Sequence, residues 1–177
     1  IEAQARQAIG NLVALLKESG VEAENVIKTT VFIKNMDDFG KVNEVYSEFF
    51  KKDCFADKAG VELIEIKEGY SKARLVITET HLNAGNRTQG GALFTLADLA
   101  LAAAANSHGT LAFSLSSNIT FLRSSGPGDI LYAEARERYI GRTTGHYQID
   151  ITNQNGELVA TFESSIFRKG DALPFTL

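Results

Sequence analysis

The sequence predicts an α+β domain in which an antiparallel β-sheet wraps around one central apolar α-helix, preceded by a helix-strand-helix segment. Residues 90–105 consist mostly of Ala and Leu and contain no Pro, which favours a buried helix. Segments that alternate between apolar and polar residues surround this run and are bounded by turn residues, which indicates antiparallel strands. An apolar helix among such strands is best buried by a sheet that curves around it.

The first part of the chain has a different pattern. Residues 2–19 carry apolar side chains at helical spacing, and Gly20 follows as a C-cap. Residues 26–33 are rich in β-branched side chains and predict a strand, after which Asp37 or Asp38 can cap a second helix. A lone strand between two helices cannot satisfy its backbone hydrogen bonds, so this segment is expected to need partner strands from elsewhere.

The remainder of the chain alternates strands and turns around the apolar helix. Val61–Lys67 and Tyr70–Thr80 predict a hairpin that turns at Glu68 and Gly69, and the helix is expected to end near Asn106. Gly, Pro, Asn and Asp then separate four further strands. These strands are predicted at residues 111–123, 129–140, 143–153 and 157–168.

Asp98 is the only charged residue in the apolar helix. Aspartate is a poor residue for a helix interior, and an unsatisfied buried carboxylate is costly, so a compensating group is expected nearby. Active sites are one place where such a carboxylate is kept, and structural hydrogen-bond networks are another. The position alone leaves both interpretations open.

Composition excludes several classes of function. The chain has 177 residues and a net charge of −4, with 18 basic and 22 acidic residues intermixed, so no basic surface for nucleic acid and no polybasic membrane patch is expected. Apolar stretches are broken before membrane-spanning length, except around the Ala-rich helix, whose Asp98 and flanking glycines favour a core helix over a membrane span. A single cysteine, Cys54, and three scattered histidines predict a reducing, cytoplasmic location and no metal site.

A series of landmarks occurs in order along the second part of the chain. They are residues 55–66, Leu82-Asn83, Gly90-Gly91 through Asp98, Asn106 to Gly109, Phe121-Leu122-Arg123, Gly128-Asp129 and Gly141-Arg142-Thr143. With these landmarks, residues from about 43 to 170 resemble the hotdog-fold acyl-CoA thioesterases of the phenylacetate-degradation (PaaI-like) type. The resemblance implies a hotdog fold and a thioesterase site formed by Asn83, the backbone amide of Gly90 and the Asp98 carboxylate.

Physical chemistry gives these positions consistent roles. An N–H at a helix N-terminus suits the oxyanion that forms during thioester hydrolysis, so Gly90 is the expected oxyanion donor. Asp98 would be a general base or a nucleophile, and the sequence does not choose between them. Asn83 could orient water or substrate, or form an Asx-type turn in its loop. Ser114 matches a polar position that supports water or the carboxylate in some hotdog thioesterases, although a strand hydroxyl is also often structural.

The spacing between Gly90 and Asp98 adds a constraint. Eight residues of helix span about 12 Å, too far for both groups to contact one thioester carbonyl within one chain. Antiparallel central helices of two subunits would bring Gly90 of one chain beside Asp98 of the other, so a homodimer or a dimer of dimers is expected. This expected arrangement resembles that of hotdog families, whose sites lie at dimer interfaces.

One departure from the family pattern concerns histidine. The pattern usually has His before the Gly-Gly pair and often a second His earlier in the loop, where this chain has Gln89 and Gly85. Gln89 can hydrogen-bond a carbonyl or hold the loop, but it cannot change charge near neutral pH. An alternative function is therefore a non-catalytic module that binds acyl-CoA or serves assembly with a RidA-like partner.

Coenzyme A carries phosphates and calls for local cations or exposed amides. The family pattern places nucleotide contacts near Arg123, Arg142 and Thr143, and Arg87 is a further candidate. The expected reaction is hydrolysis of a small or aromatic acyl-CoA, which requires no cofactor beyond the CoA of the substrate.

The N-terminal residues carry a second resemblance. Residues 1–7, Asn11-Leu12, 25–39 and 42–50 look like the middle of the reactive intermediate deaminase (RidA/YjgF) family. The strands that carry the Arg and Glu associated with deamination in that family have no counterpart here, so no deaminase activity is expected. The predicted division is a truncated RidA-like segment at 1–50 and a hotdog thioesterase domain at 51–177.

Overall fold

The computed structural model describes residues 2–20 and 54–172. The chain divides into two compact units, residues 1–54 with 174–177 and residues 55–173. The predicted strand at 26–33 and the helix after it lie outside the described residues. In the first unit, helix α1 spans Glu2–Glu18, as its apolar spacing predicts.

The second unit is a six-stranded antiparallel sheet with one long helix. Its elements are α2 (Cys54–Lys58), β1 (Val61–Lys67), β2 (Tyr70–Val76), a 3₁₀ helix (Glu79–His81), α3 (Gly90–Asn106), β3 (Thr110–Phe121), β4 (Ile130–Ile140), β5 (Thr144–Thr152) and β6 (Leu158–Ala172). The strand order is β1-β2-β4-β5-β6-β3, so β1 and β3 form the two edges. Helix α3 contacts all six strands, which is the predicted arrangement of a sheet wrapped around an apolar helix.

The core lies between α3 and the concave face of the sheet. Alternate strand residues point into it, as the period-two pattern predicts. The largest fully buried side chains include Tyr147, Phe162, Leu75, Ile77, Leu96, Leu101, Leu131, Ile149 and Ile151.

Strand β2 ends earlier than the sequence predicted. The strand was expected to reach Thr80, but it stops at Val76, and Thr78 caps the 3₁₀ helix. Ile77 still exchanges backbone hydrogen bonds with Gly128 and Asp129 at 2.9 and 2.8 Å. The chain leaves the sheet after these bonds because the Thr78 and His81 backbone and side-chain groups pair with each other instead of with a neighbouring strand.

In the single chain, the predicted burial of α3 does not extend to one stripe of this helix. Leu96, Ala97 and Ala100 are fully buried. In contrast, Gly91, Phe94 and Ala102 are exposed, while Thr95, Asp98 and Leu99 are half-buried. Alanine and leucine occupy both sides of the helix, so composition did not distinguish the stripe from the core face.

The C-terminal end of α3 is closed by side chains. Asn106 donates to the carbonyl oxygens of Ala102 and Ala112 and accepts from the Ala112 N–H at 2.9 Å. Ser107 donates to the Ala104 carbonyl at 2.7 Å and accepts from the Gly69 N–H at 2.8 Å. The last carbonyl groups of a helix lack partners within it, and these bonds supply them.

A second layer of bonds lies beyond this end. His108 Nε2 and the Tyr147 hydroxyl both bond Glu137 Oε2, at 2.5 and 2.7 Å. Burial of Tyr147, with the Glu137 carboxylate beside it, raises the pKa of its hydroxyl well above the usual range.

Candidate active site at the N-terminus of the central helix

An open cleft of about 380 Å³ lies at the N-terminal end of α3. The residues that line it are Asn83, Arg87, Thr88, Gly90, Leu93, Phe121, Leu122, Arg123, Ser124 and Ser125. Four site residues predicted from the sequence are thus brought together: Asn83, Arg87, Gly90 and Arg123. The lining contains two arginines and no acidic side chain, so the cleft favours anions and developing negative charge.

Gly90 is the first residue of α3, and its backbone borders the cleft. Within the described part of the chain its N–H has no hydrogen-bond acceptor. A Cβ at this position would lie 2.8 Å from Phe121 Cζ, so only glycine fits beneath the ring as it stands. The helix dipole adds partial positive charge here, and the site is therefore suited to an oxyanion.

Gln89 is the N-cap of α3, and it does not line the cleft. Its Oε1 accepts a hydrogen bond from the Gly91 N–H, and its own N–H donates to the His81 carbonyl at 2.8 Å. The glutamine therefore uses its carboxamide oxygen on the helix backbone, where it satisfies the second amide and leaves the first to the cleft.

Asn83 forms the Asx-type turn that the sequence allowed, and its side chain also borders the cleft. Its Oδ1 accepts from the Gly85 and Arg87 N–H groups at 2.8 and 3.2 Å, which is the Asx-type turn. Its Nδ2 has no acceptor among the described residues, and the residue lines the cleft. The carboxamide oxygen shapes the loop, and the carboxamide nitrogen remains able to donate to a ligand.

A buried hydroxyl pair anchors the loop to the sheet side of the cleft. The Thr88 N–H donates to the Ser125 carbonyl at 3.0 Å, and Ser125 Oγ donates to Thr88 Oγ1 at 2.7 Å. Sequence reasoning missed this pair, because the two residues are 37 positions apart and neither belongs to a recognisable motif.

The wall opposite the loop is made by three consecutive residues, Phe121, Leu122 and Arg123. Strand alternation would send the middle one to the other face. Here the N–H groups of Leu122 and Arg123 both donate to the Val159 carbonyl, at 2.9 and 3.0 Å, which is a β-bulge. The bulge lets all three side chains border one cleft.

Like Gln89, two further predicted catalytic residues do not line the cleft. Asp98 lies two turns along α3, half-buried on the exposed stripe. Ser114 is exposed on the edge strand β3, opposite Ile166 of β6. One chain therefore does not bring Asp98 or Ser114 into the cleft with Gly90.

The predicted nucleotide contacts fall into two groups. Arg123 lines the cleft and pairs with Glu157 at 3.3 Å across an exposed surface, and Arg87 Nη1 donates to the Asn86 carbonyl. Arg142 and Thr143 lie instead in the exposed turn between β4 and β5.

Arg168 of β6 holds that turn. Its Nη1 donates to the Gly141 carbonyl and its N–H to the Thr143 carbonyl, both at 2.9 Å. No sequence signal indicated this role, because Arg168 follows a strand pattern and its partners belong to a distant turn.

Residues 2–20 and 54–172 contain neither a candidate metal site nor a candidate membrane-spanning helix. No cluster of three or more His, Cys, Asp or Glu side chains in these residues could hold a metal ion. No helix in them is long and apolar enough to cross a membrane.

Comparison with known proteins identifies the family. A putative esterase of Archaeoglobus fulgidus is 36% identical over 135 residues, which cover 76% of this chain and 88% of that protein. The acyl-coenzyme A thioesterase PaaI of Escherichia coli is 37% identical over 124 residues, or 70% of this chain and 89% of the relative. The thioesterase superfamily model matches residues 86–160. The chain belongs to the thioesterase superfamily. It is therefore a thioester hydrolase of the PaaI-like group, as the sequence landmarks predicted.

Solved structures confirm the hotdog fold of this thioesterase. The structure of the E. coli PaaI protein has a TM-score of 0.69 at 35% identity and covers 76% of this chain and 95% of its own. A Streptococcus mutans protein bound to acetyl CoA has a TM-score of 0.61 at 28% identity and covers 63% of this chain and 90% of its own.

The N-terminal part of the thioesterase chain matches a different family. The model described as Endoribonuclease L-PSP matches residues 1–71. A RutC family protein of Synechocystis is 42% identical over 66 residues, which cover 37% of this chain and 51% of that relative. These matches confirm the RidA-like resemblance, and the chain spans about half the length of that relative.

Proposed function

We propose that the hotdog domain hydrolyses a small or aromatic acyl-CoA thioester to the free acid and CoA. The observation that carries this proposal is the Gly90 N–H at the N-terminus of α3, which has no acceptor among the described residues and borders a cleft whose described lining has no acidic side chain. The names of two similar proteins support the substrate class, since one is an acyl-coenzyme A thioesterase and the other is bound to acetyl CoA.

The first step places the thioester carbonyl oxygen against the Gly90 N–H. Attack at the carbonyl carbon moves an electron pair onto that oxygen, and the N–H together with the helix dipole stabilises the charge. Asn83 Nδ2 is a second donor at the same cleft. Collapse of the tetrahedral intermediate expels CoA as a thiolate, which then takes up a proton.

The carboxylate for this step comes from the Asp98 of a second copy. Gly90 and Asp98 are eight residues apart in one continuous helix, which is about 12 Å. If two α3 helices lie antiparallel with Gly90 opposite Asp98, the pairing centres on Phe94, which lies on the exposed stripe. Gly91 on the same stripe has no side chain, which allows close approach of the two helices.

The edge strand β3 supports association of two copies. Its outer edge carries no partner strand among the described residues, and Phe113 and Leu115 are 54% and 62% exposed. A long edge strand with exposed apolar side chains favours pairing with another chain. A homodimer, or a dimer of dimers, would cover both this edge and the α3 stripe.

Recognition of CoA is assigned to basic residues and backbone amides near the cleft. Arg123 and Arg87 border it, while Arg142 and Thr143 extend the surface at the turn that Arg168 holds. These groups offer charge-assisted hydrogen bonds to the phosphates.

The first experiment measures release of free CoA from a panel of acyl-CoA esters. Asp98→Asn should lower kcat by at least about 100-fold, because the variant has neither a base nor a nucleophile at this position. Asp150→Asn is the matched control, since Asp150 lies on β5 between the core residues Ile149 and Ile151 and faces away from them. Equal rates for Asp98→Asn and wild type would overturn the role of Asp98, and tight binding without turnover would overturn the reaction.

A mixing experiment tests whether the site combines two chains. Asp98→Asn and Gly90→Val subunits, each inactive alone, should regain activity when they are unfolded together and refolded, since a mixed dimer contains one intact pair. Activity that does not return, although mixed dimers form, would contradict the two-chain site.

Single-turnover hydrolysis in H₂¹⁸O distinguishes the two chemical roles of Asp98. If Asp98 is the base, the acid formed in the first turnover contains ¹⁸O from water. If Asp98 is the nucleophile and water attacks the carboxyl carbon of Asp98, the acid of the first turnover contains an unlabelled enzyme oxygen.

A further inference from the structure

His81 links three segments at the base of the site loop. It ends the 3₁₀ helix that follows β2, and its ring is half-buried. Its Nε2 lies 2.9 Å from the Ala59 carbonyl, at the turn between α2 and β1. Its Nδ1 accepts from the Thr78 N–H at 3.0 Å, and its carbonyl accepts from the Gln89 N–H at 2.8 Å.

These contacts fix one tautomer of the ring. A backbone N–H can only donate, so Nδ1 must present a lone pair to Thr78 and carry no proton. A carbonyl can only accept, so Nε2 must carry the proton that points to Ala59. Both nitrogens of the neutral imidazole are thus engaged with the backbone.

The position of His81 relates these bonds to the candidate site. Leu82 and Thr88 pair across the base of the loop, directly after His81 and directly before Gln89. Asn83 follows at one end of the loop, and Gly90 begins α3 at the other. A shift of the His81 backbone would therefore move both donors, and catalysis is sensitive to displacements of about 1 Å.

We propose that His81 is a positioning residue for thioester hydrolysis, whose neutral ring holds the loop so that Asn83 Nδ2 and the Gly90 N–H face the same carbonyl. This inference rests on the proposed function. His81 does not touch the substrate, since it does not line the cleft, and its effect passes through Gln89 and the paired loop ends.

The test uses three substitutions of His81. His81→Ala removes both ring bonds and should lower kcat about 10- to 100-fold with little change in KM, because the donors are displaced rather than lost. His81→Asn places a carboxamide oxygen near the Nδ1 position and retains an acceptor for Thr78. His81→Gln places a carboxamide N–H near the Nε2 position and retains a donor to Ala59. Each should recover part of the lost kcat.

His108→Ala is the matched control at the other end of α3. It also removes a histidine that is hydrogen-bonded through Nε2, and it should lower stability without changing kcat. Equal losses of kcat in His108→Ala and His81→Ala would overturn the inference, as would a folded His81→Ala variant with wild-type kcat. So would Asn and Gln variants that are no better than Ala.

An amide NMR spectrum keeps this test separate from the proposed function. His81→Ala should shift the Gly90 and Asn83 side-chain amide resonances, whereas His108→Ala should leave them in place. If the wild type hydrolyses no acyl-CoA, the proposed function fails while these shifts still test the position of the loop. Unchanged resonances in His81→Ala would overturn the positioning role.

Discussion

The two ends of α3 differ in whether the backbone groups left over from the helical hydrogen-bond pattern find partners. At the C-terminal end, Asn106 and Ser107 donate hydrogen bonds to backbone carbonyls of the last turn. The hydrogen-bonded side chains of His108, Glu137 and Tyr147 lie beyond it. At the N-terminal end, a glycine N–H lies open to a cleft, although a capping residue stands directly beside it. In the proposed function, the closed end serves stability and the open end is kept for a ligand.

The largest expected effect is at the open end. Gly90→Ala keeps the N–H but puts a Cβ 2.8 Å from Phe121 Cζ, where it obstructs the approach of a thioester to that N–H. If the oxyanion can then no longer reach its donor, kcat should fall about 100- to 1,000-fold. Steady-state kinetics of Gly90→Ala and of the double variant Gly90→Ala with Phe121→Ala separate two causes of the loss. One is a collision of the new Cβ with the Phe121 ring, and the other is blocked approach of the thioester to the Gly90 backbone. If removing the ring restores full activity, the defect is only a collision with Phe121, and close approach to the backbone is unnecessary.

The closed end should respond in stability and not in rate. Asn106→Ala removes three hydrogen bonds from a residue that is 6% exposed, and it should lower the free energy of unfolding by about 2–3 kcal/mol. Chemical denaturation measures this change. A fall in kcat of the folded variant would contradict the division between the two ends.

Gln89 tests the cap beside the open amide. Gln89→Ala should cost about 1 kcal/mol of unfolding free energy, because the Gly91 N–H loses its acceptor. It should retain most of kcat, since the Gly90 N–H is not involved in the cap. A loss as large as that of Gly90→Ala would instead place the Gln89 carboxamide in the chemistry.

The smallest expected effect concerns alkaline pH. Tyr147 has a raised pKa in the folded chain, first because of burial and then because of Glu137, so folding favours its neutral form. This contribution is complete below the usual tyrosine pKa of about 10, and it is lost as pH rises above that value, because the unfolded chain ionises first. Tyr147→Phe should therefore lose less stability between pH 9 and pH 11 than wild type, in thermal unfolding scans at about 0.5-unit steps. Equal losses of stability in wild type and Tyr147→Phe over this pH range would contradict a raised pKa of Tyr147 in the folded chain.

Some features of this structure could be predicted from the sequence more fully than others. The apolar run and the alternating segments predicted α3 and its sheet, since both patterns come from burial on one element. Gly90 and Asn83 were found through family landmarks, and the Asx turn of Asn83 through its local chemistry. The role of Asp98 stays a prediction.

Other features could not be predicted because they depend on residues distant in sequence. His81 acts through Ala59, which is 22 positions away, and Thr88 through Ser125. The exposed stripe of α3 was missed for another reason. Its alanines and leucines are the same residue types as those of the core face, so only the packed sheet shows which side is covered.

The bulge at the end of β3 has a consequence for how this site can change. Because Phe121, Leu122 and Arg123 all border the cleft, one stretch of three neighbouring codons determines an aromatic, an aliphatic and a cationic part of its wall. Evolution or a small combinatorial library could therefore alter the size and charge of the cleft there without touching α3, its caps or the loop that carries Asn83.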